Sequence, residues 1–163
     1  MHRELTTETW FIFEMIQNAE DSSYSWAVSQ GHIPFIRFTL LPDRILVDSN
    51  EDGFSEHDVH AICNIGESMK DNASGYIGEK GIGFKSVFEV ASKVHVQLGP
   101  FSFSFHHMYG DNGLGMVTPQ NEDHDVLPED VRTWFALHLA KAEEFTTLEE
   151  EMITIPDTLV LFI

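Results

Sequence analysis

Apolar positions along this chain change period several times, and each change marks an element. Trp10, Phe11, Phe13, Met15, Ile16 and Ala19 share one broad side at helical spacing, which predicts a helix from Thr6 to about Tyr24 with Thr6 and Thr7 supplying its N-cap. Ile33 to Leu41 and Arg44 to Asp48 read as two strands joined by Pro42-Asp43, a hairpin signal. Ser55-Glu56-His57-Asp58 is a capping sequence ahead of Val59, Ile62, Cys63 and Ile65, and Gly66 closes that helix. Lys93 to Leu98 alternates as a strand, and so do Phe101, Phe103 and Phe105 against Ser102, Ser104 and His106. Leu114 to Thr118 reads as a short strand. Leu127-Pro128-Glu129 opens what the spacing of Val131, Trp134, Phe135, Leu137, Leu139 and Ala142 predicts as a helix reaching about Phe145. Apolar residues persist to Ile163, which suggests a piece of something longer.

Between the helix that Gly66 closes and the strand that Lys93 opens lies Gly75 to Phe88, GYIGEKGIGFKSVF. Gly75, Gly78, Gly81 and Gly83 fall among Lys80 and Lys85, and Phe84, Val87, Phe88 and Val90 then follow at helical spacing. A glycine-rich turn entering a helix presents unpaired backbone N–H groups at the positive end of the helix dipole. It is a phosphate cradle in outline. Neither a GxxxxGK[ST] loop nor a strand leading into GxGxxG is present, so the nucleotide signatures with those patterns do not apply. Gly66 to Gly81 is polar and glycine-bearing, about as long as a lid loop.

Charge sharpens this picture. The chain has 163 residues, the size of one domain, and carries 27 acidic against 9 basic side chains for a net charge of −18. A surface of that sign repels phosphate backbones, so direct nucleic-acid binding is not expected. Lys70, Lys80 and Lys85 therefore stand out, concentrated in a window suited to an anion. No run of about eighteen apolar residues occurs and no cleavable signal pattern is legible, so the expectation is an intracellular protein, cytoplasmic or nuclear, off the membrane. Cys63 is alone and sits in a helical apolar pattern, as a buried structural thiol would. The histidines lack the spacing of a zinc site.

One polar feature interrupts the first helix. In EMIQNAED, Glu14, Asn18 and Asp21 fall on one stripe that borders the apolar side. Polar groups at a core margin need partners. The second predicted strand likewise ends in DSNEDGF, Asp48 to Phe54, a polar loop where ligands are commonly bound.

These three blocks, EMIQNAED, DSNEDGF and GYIGEKGIGFKSVF, stand in an order that resembles the ATP-binding domain of the GHKL superfamily of gyrase, heat-shock chaperones, histidine kinases and MutL. More narrowly the chain is similar to the sacsin and NO VEIN-like branch, with MORC proteins as cousins. The resemblance covers about Thr6 to His107. It implies the Bergerat fold, a two-layer α/β sandwich with a mixed, mostly antiparallel sheet and helices on one face, in a single domain over 1–163 with its core at 6–107 and a helical extension at 120–163.

The resemblance also implies roles. Glu14 corresponds to the residue that activates the attacking water, Asn18 to the ligand of Mg²⁺, and Asp21 to an acidic position near the base. Asp48 or Asn50 stands where the superfamily places an aspartate on the adenine amino group. Aligning the last glycine of the usual DxGxG on Gly53 instead puts Ser49 in the aspartate's place and Glu51 in that of the first glycine, with Asp48 one residue out of register. Ser68 and Lys70 resemble the SxK element of a lid. Gly78, Lys80, Gly81, Ile82, Gly83, Phe84 and Lys85 resemble the second phosphate-binding glycine box. The implied activity is Mg²⁺-dependent ATP binding with slow hydrolysis to ADP and phosphate, as a regulatory or chaperone-like module with protein partners and with a nucleotide-dependent dimer among its assemblies. The competing expectations are a nucleotide-binding scaffold with little turnover and an interaction domain without nucleotide.

Overall fold

In a computed structural model describing residues 10–60, 62, 86–88, 90–106, 119–141 and 143–154, the hairpin forms as expected. β1 (Ile36–Leu41) and β2 (Arg44–Ser49) pair antiparallel from Ile36 opposite Ser49 to Leu41 opposite Arg44, leaving Pro42 and Asp43 to turn the chain. The other alternating segments form β3 (Ala91–Leu98) and β4 (Phe101–His106), joined through Gly99 and Pro100. Gly99 has φ +54°, a conformation that glycine reaches without penalty. β5 (Pro119–Asn121) adds a short edge, and β6 (Thr133–Leu139) completes a six-stranded sheet in the order β1-β2-β6-β3-β4-β5. Every strand pair is antiparallel.

β6 corrects two expectations at once. The helix read from Leu127 to Phe145 does not form there; Thr133–Leu139 is a strand lying between β2 and β3. It is apolar on both sides because both sides are covered: Phe135 and Leu137 join the main core, while Trp134 and Ala136 pack beneath Val131 and Leu127. A strand buried on two faces loses the alternation that would betray it, and its apolar run then mimics a helical stripe. Nor is 120–163 an extension of a core ending at 107, since a central strand comes from it. The helix falls later, as α4 (Glu143–Thr154).

α1 (Trp10–Glu20) lays Phe11, Ile12 and Met15 against the sheet face that carries Val47, Val96 and Phe135, and Leu148 of α4 joins the same core. α2 (Ser25–Ser29) is short. A further helix, α3, covers residues 56–60 with Ile62 also helical. Ser55 caps it: the Asp58 N–H donates to Ser55 Oγ, while the Ser55 N–H and hydroxyl both donate to Asp58 Oδ2. Helices on one side and a sheet on the other make the two-layer α/β sandwich that the sequence implied. Among the described residues no helix is long and apolar enough to cross a membrane.

The other sheet face carries this smaller apolar cluster beside polar side chains of β3 and β4, and is crossed by the segment 122–130. Gln97 holds that segment twice, accepting from the Asp125 N–H at 2.8 Å and donating to the Asp125 carbonyl at 3.0 Å. Ser102 Oγ donates to the Asp123 carbonyl, and Lys93 pairs with Glu122. The pair from Lys93 and a bond from Ser104 hold the Glu122 carboxyl below the usual range. Cys63, Ser68, Lys70 and the whole run from Gly75 to Lys85 lie outside the described residues, as does the strand expected at Leu114 to Thr118.

Candidate functional site

Antiparallel pairing sets Ser49, the last residue of β2, directly opposite Thr133, the first of β6. Residues paired in this way project to the same side. Here that side is the helical one, and both line a cavity of about 50 Å³ under α1 that is partly open to solvent. α1 contributes Met15, Asn18 and Ala19; the sheet adds Ile36, Val47 and Phe135; Glu51, Phe54, Asp58 and Ile62 close the far side. Its walls are mostly apolar, and its polar residues are Asn18, Ser49, Glu51, Asp58 and Thr133.

Those polar groups are buried. Glu51 is 4% exposed and Thr133 1%, and the Thr133 hydroxyl has no hydrogen-bond partner. Leaving a buried hydroxyl unpaired costs about 1–3 kcal/mol. Ser49 Oγ accepts from the Glu51 N–H at 3.2 Å, which folds the chain back at the strand end. Tyr24 closes the same end, its hydroxyl donating to the Ala19 carbonyl at 2.8 Å. Burial pushes the Tyr24 phenol above its ordinary pKa and the nearby Glu51 charge adds to the rise, against a hydrogen bond with Ser49.

The sequence candidates divide around this cavity. Asn18 lines it. Glu14, one turn earlier, is not among the lining residues and accepts a hydrogen bond from Trp10 Nε1 at 2.9 Å. Asp21 is exposed beyond the end of α1. Asp48 is on the opposite sheet face, where Arg37 Nε and Nη2 donate to its Oδ2 at 2.9 and 2.6 Å. Strand alternation requires this: if Val47 and Ser49 face the cavity, Asp48 cannot. Asn50 is fully buried and engaged at both its oxygen and its nitrogen, accepting from the Phe35 N–H at 2.9 Å and donating to the Ile33 carbonyl at 3.0 Å. Gly53, at φ +91°, turns the chain so that Phe54 meets Phe135 edge-on with ring centres 6.4 Å apart. Ser68, Lys70, Gly78, Lys80, Gly81, Ile82, Gly83, Phe84 and Lys85 lie outside the described residues.

Two buried polar residues of the lining were not candidates in the sequence. Thr133 was hidden inside the expected helix. Glu51 carried a signal, since a carboxylate two residues past Ser49 recurs on the same side of an extended chain, but the glycine alignment had assigned it to a backbone role.

Comparison with known proteins gives this geometry its relatives. Residues 39–95 match the Sacsin domain family, a stretch running from β1 through β2, the cavity loop and the glycine-rich segment to β3. Those residues are sacsin-like. Across 117 residues the chain is 38% identical to Protein NO VEIN of Arabidopsis thaliana, a match covering 71% of this chain and 4% of NO VEIN. The sacsin and NO VEIN-like branch of the resemblance is thus supported by both comparisons. The cavity's β2 side and its loop, with Ser49, Glu51 and Phe54, fall within the sacsin-like stretch; Asn18 and Thr133 are brought to it from outside by the fold.

Proposed function

We propose that this sacsin-like domain binds ATP with Mg²⁺ and hydrolyses it slowly, as a regulatory or chaperone-like module of a larger protein on the Bergerat plan. The observation that carries the reading is the unpartnered Thr133 hydroxyl, buried opposite Ser49 in a mostly apolar cavity that Asn18 and Glu51 also line. A heteroaromatic base suits such a site, with apolar walls for its faces and a few polar groups for its edge. Glu51 supplies an acceptor for an exocyclic amino group, and Thr133 and Ser49 supply hydroxyls that donate or accept. The cavity is small, so a base would extend into its mouth or widen it on entering.

Asn18 would present a neutral oxygen to Mg²⁺, an ion that keeps much of its water and phosphate shell. The ion's chemistry is charge neutralisation on the phosphates. Glu14, one turn nearer the start of α1, is the residue for accepting a proton from water, with Trp10 Nε1 engaging only its Oε1. The glycine-rich segment with Lys80 and Lys85 would receive the phosphates. Calorimetric titration of Mg-ATP into the purified chain, followed by phosphate-release measurements, tests this: saturable binding with slow release is expected, and absence of binding would overturn it.

A further inference from the structure

The loop that carries Glu51 is held from both flanks by side chains that never enter the cavity. On one flank, Asn50 is spent on the backbone of 33–35, with one bond to the Phe35 N–H and one to the Ile33 carbonyl. On the other, the Asp52 carboxylate accepts from the N–H groups of Trp26 at 2.8 Å and Ser25 at 2.9 Å, while its own N–H donates to the Ser23 carbonyl at 2.7 Å. The strand end just before the loop is fixed as well, since the Ser49 carbonyl accepts from the Arg132 N–H at 2.9 Å. Arg132 in turn stacks its guanidinium 4.7 Å from the centre of the Trp26 ring. Residues 23 to 35, which connect α1 to β1, are thereby fastened at two points to the same short loop.

Both outer side chains of this three-residue span are committed to neighbouring backbone, which holds the backbone of the middle residue in place. Glu51 is 4% exposed and lines the cavity. We infer that Asn50 and Asp52 are positioning residues: together they hold the Glu51 carboxylate in the cavity and so set how tightly the site grips its ligand. This rests on the nucleotide reading for the identity of the ligand, but the holding of Glu51 can be tested without one. The hydrogen bonds of the Trp26 and Ser25 N–H groups keep the Asp52 carboxyl below its ordinary pKa, in agreement with a carboxylate engaged by backbone donors.

The first arm uses Glu51→Cys in a Cys63→Ser background and follows its alkylation by iodoacetamide. Slow labelling is expected, rising about tenfold or more on adding Asn50→Ala or Asp52→Ala, with an unchanged urea midpoint for global unfolding. Asp52→Asn, which keeps one acceptor oxygen, should give an intermediate rate, and it remains informative if the alanine variants fail to fold. Fast labelling before either change, or labelling that tracks global unfolding, overturns the inference. The second arm titrates Mg-ATP into the native chain, Asp52→Ala, Glu51→Gln and the double variant. Asp52→Ala should weaken binding about tenfold when Glu51 is intact and less than about twofold in the Glu51→Gln background. Equal losses in both backgrounds would mean that Asp52 does not act through Glu51. If the native chain binds no Mg-ATP, the nucleotide reading fails while the labelling arm still decides the positioning role.

Discussion

Thr133 stands opposite Ser49 across the β2–β6 pair, and the Thr133 hydroxyl is buried with no partner while the Ser49 hydroxyl is already engaged. The two hydroxyls are chemically alike but differently placed. Ser49 shapes the loop, and Thr133 is the one that the proposed ligand would satisfy.

Thr133→Val separates stability from binding. Valine keeps the branched shape and removes the orphaned hydroxyl, so the free protein should gain up to about 1 kcal/mol in chemical denaturation. Mg-ATP affinity should fall by about tenfold, the loss of one buried hydrogen bond. A destabilised variant with unchanged affinity would remove Thr133 from the site.

Asp48→Asn should leave Mg-ATP affinity unchanged, because Asp48 projects to the other face and is held there by Arg37. Arg37 is about half exposed, at 48%, so the pair is screened and its loss should cost no more than about 1 kcal/mol. Calorimetry and urea titration on the same preparation check both halves. An affinity loss would return Asp48 to the base pocket.

Glu14→Ala should abolish phosphate release and leave nucleotide affinity within a few-fold. Glu14 is placed a turn away from the cavity lining and its contact with Trp10 is exposed. Loss of rate without loss of binding is the mark of an interaction made only in the transition state. Equal release rates in variant and native chain would exclude Glu14 as the base.

Acid should destabilise the domain through His95 and His138. Burial lowers both pKa values below the ordinary histidine value, most strongly opposing the charged imidazolium, although Glu122 and Asp125 pull His95 the other way. The unfolded chain then binds more protons than the folded one as pH falls below about 6.5. Stability is therefore complete above that pH and is lost progressively below it, toward the lowered folded values. His95→Gln should flatten the dependence of the urea midpoint between pH 7.5 and 5.5, a range of about two units around the ordinary histidine value. An unchanged slope would mean that His95 does not carry the effect.

The sequence by itself determined the local elements whose patterns have one interpretation. The Pro42-Asp43 hairpin, the Ser55–Asp58 cap and the Phe101–His106 alternation each depend on near neighbours, and each forms as read. It also carried enough of the sacsin-like pattern in residues 39–95 to be identified. Tertiary structure decided the rest. Whether Thr133 to Leu139 became strand or helix depended on cover from both sides, a property of the other elements and not of that segment. The face to which Asp48 points was fixed by pleat alternation once Val47 and Ser49 were committed to the core side. That Thr133 meets Ser49, 84 residues earlier in the chain, follows from strand order, which no local pattern encodes. Hydrogen bonds within a few residues can be read along a sequence; a site assembled across a sheet exists only when its strands have paired.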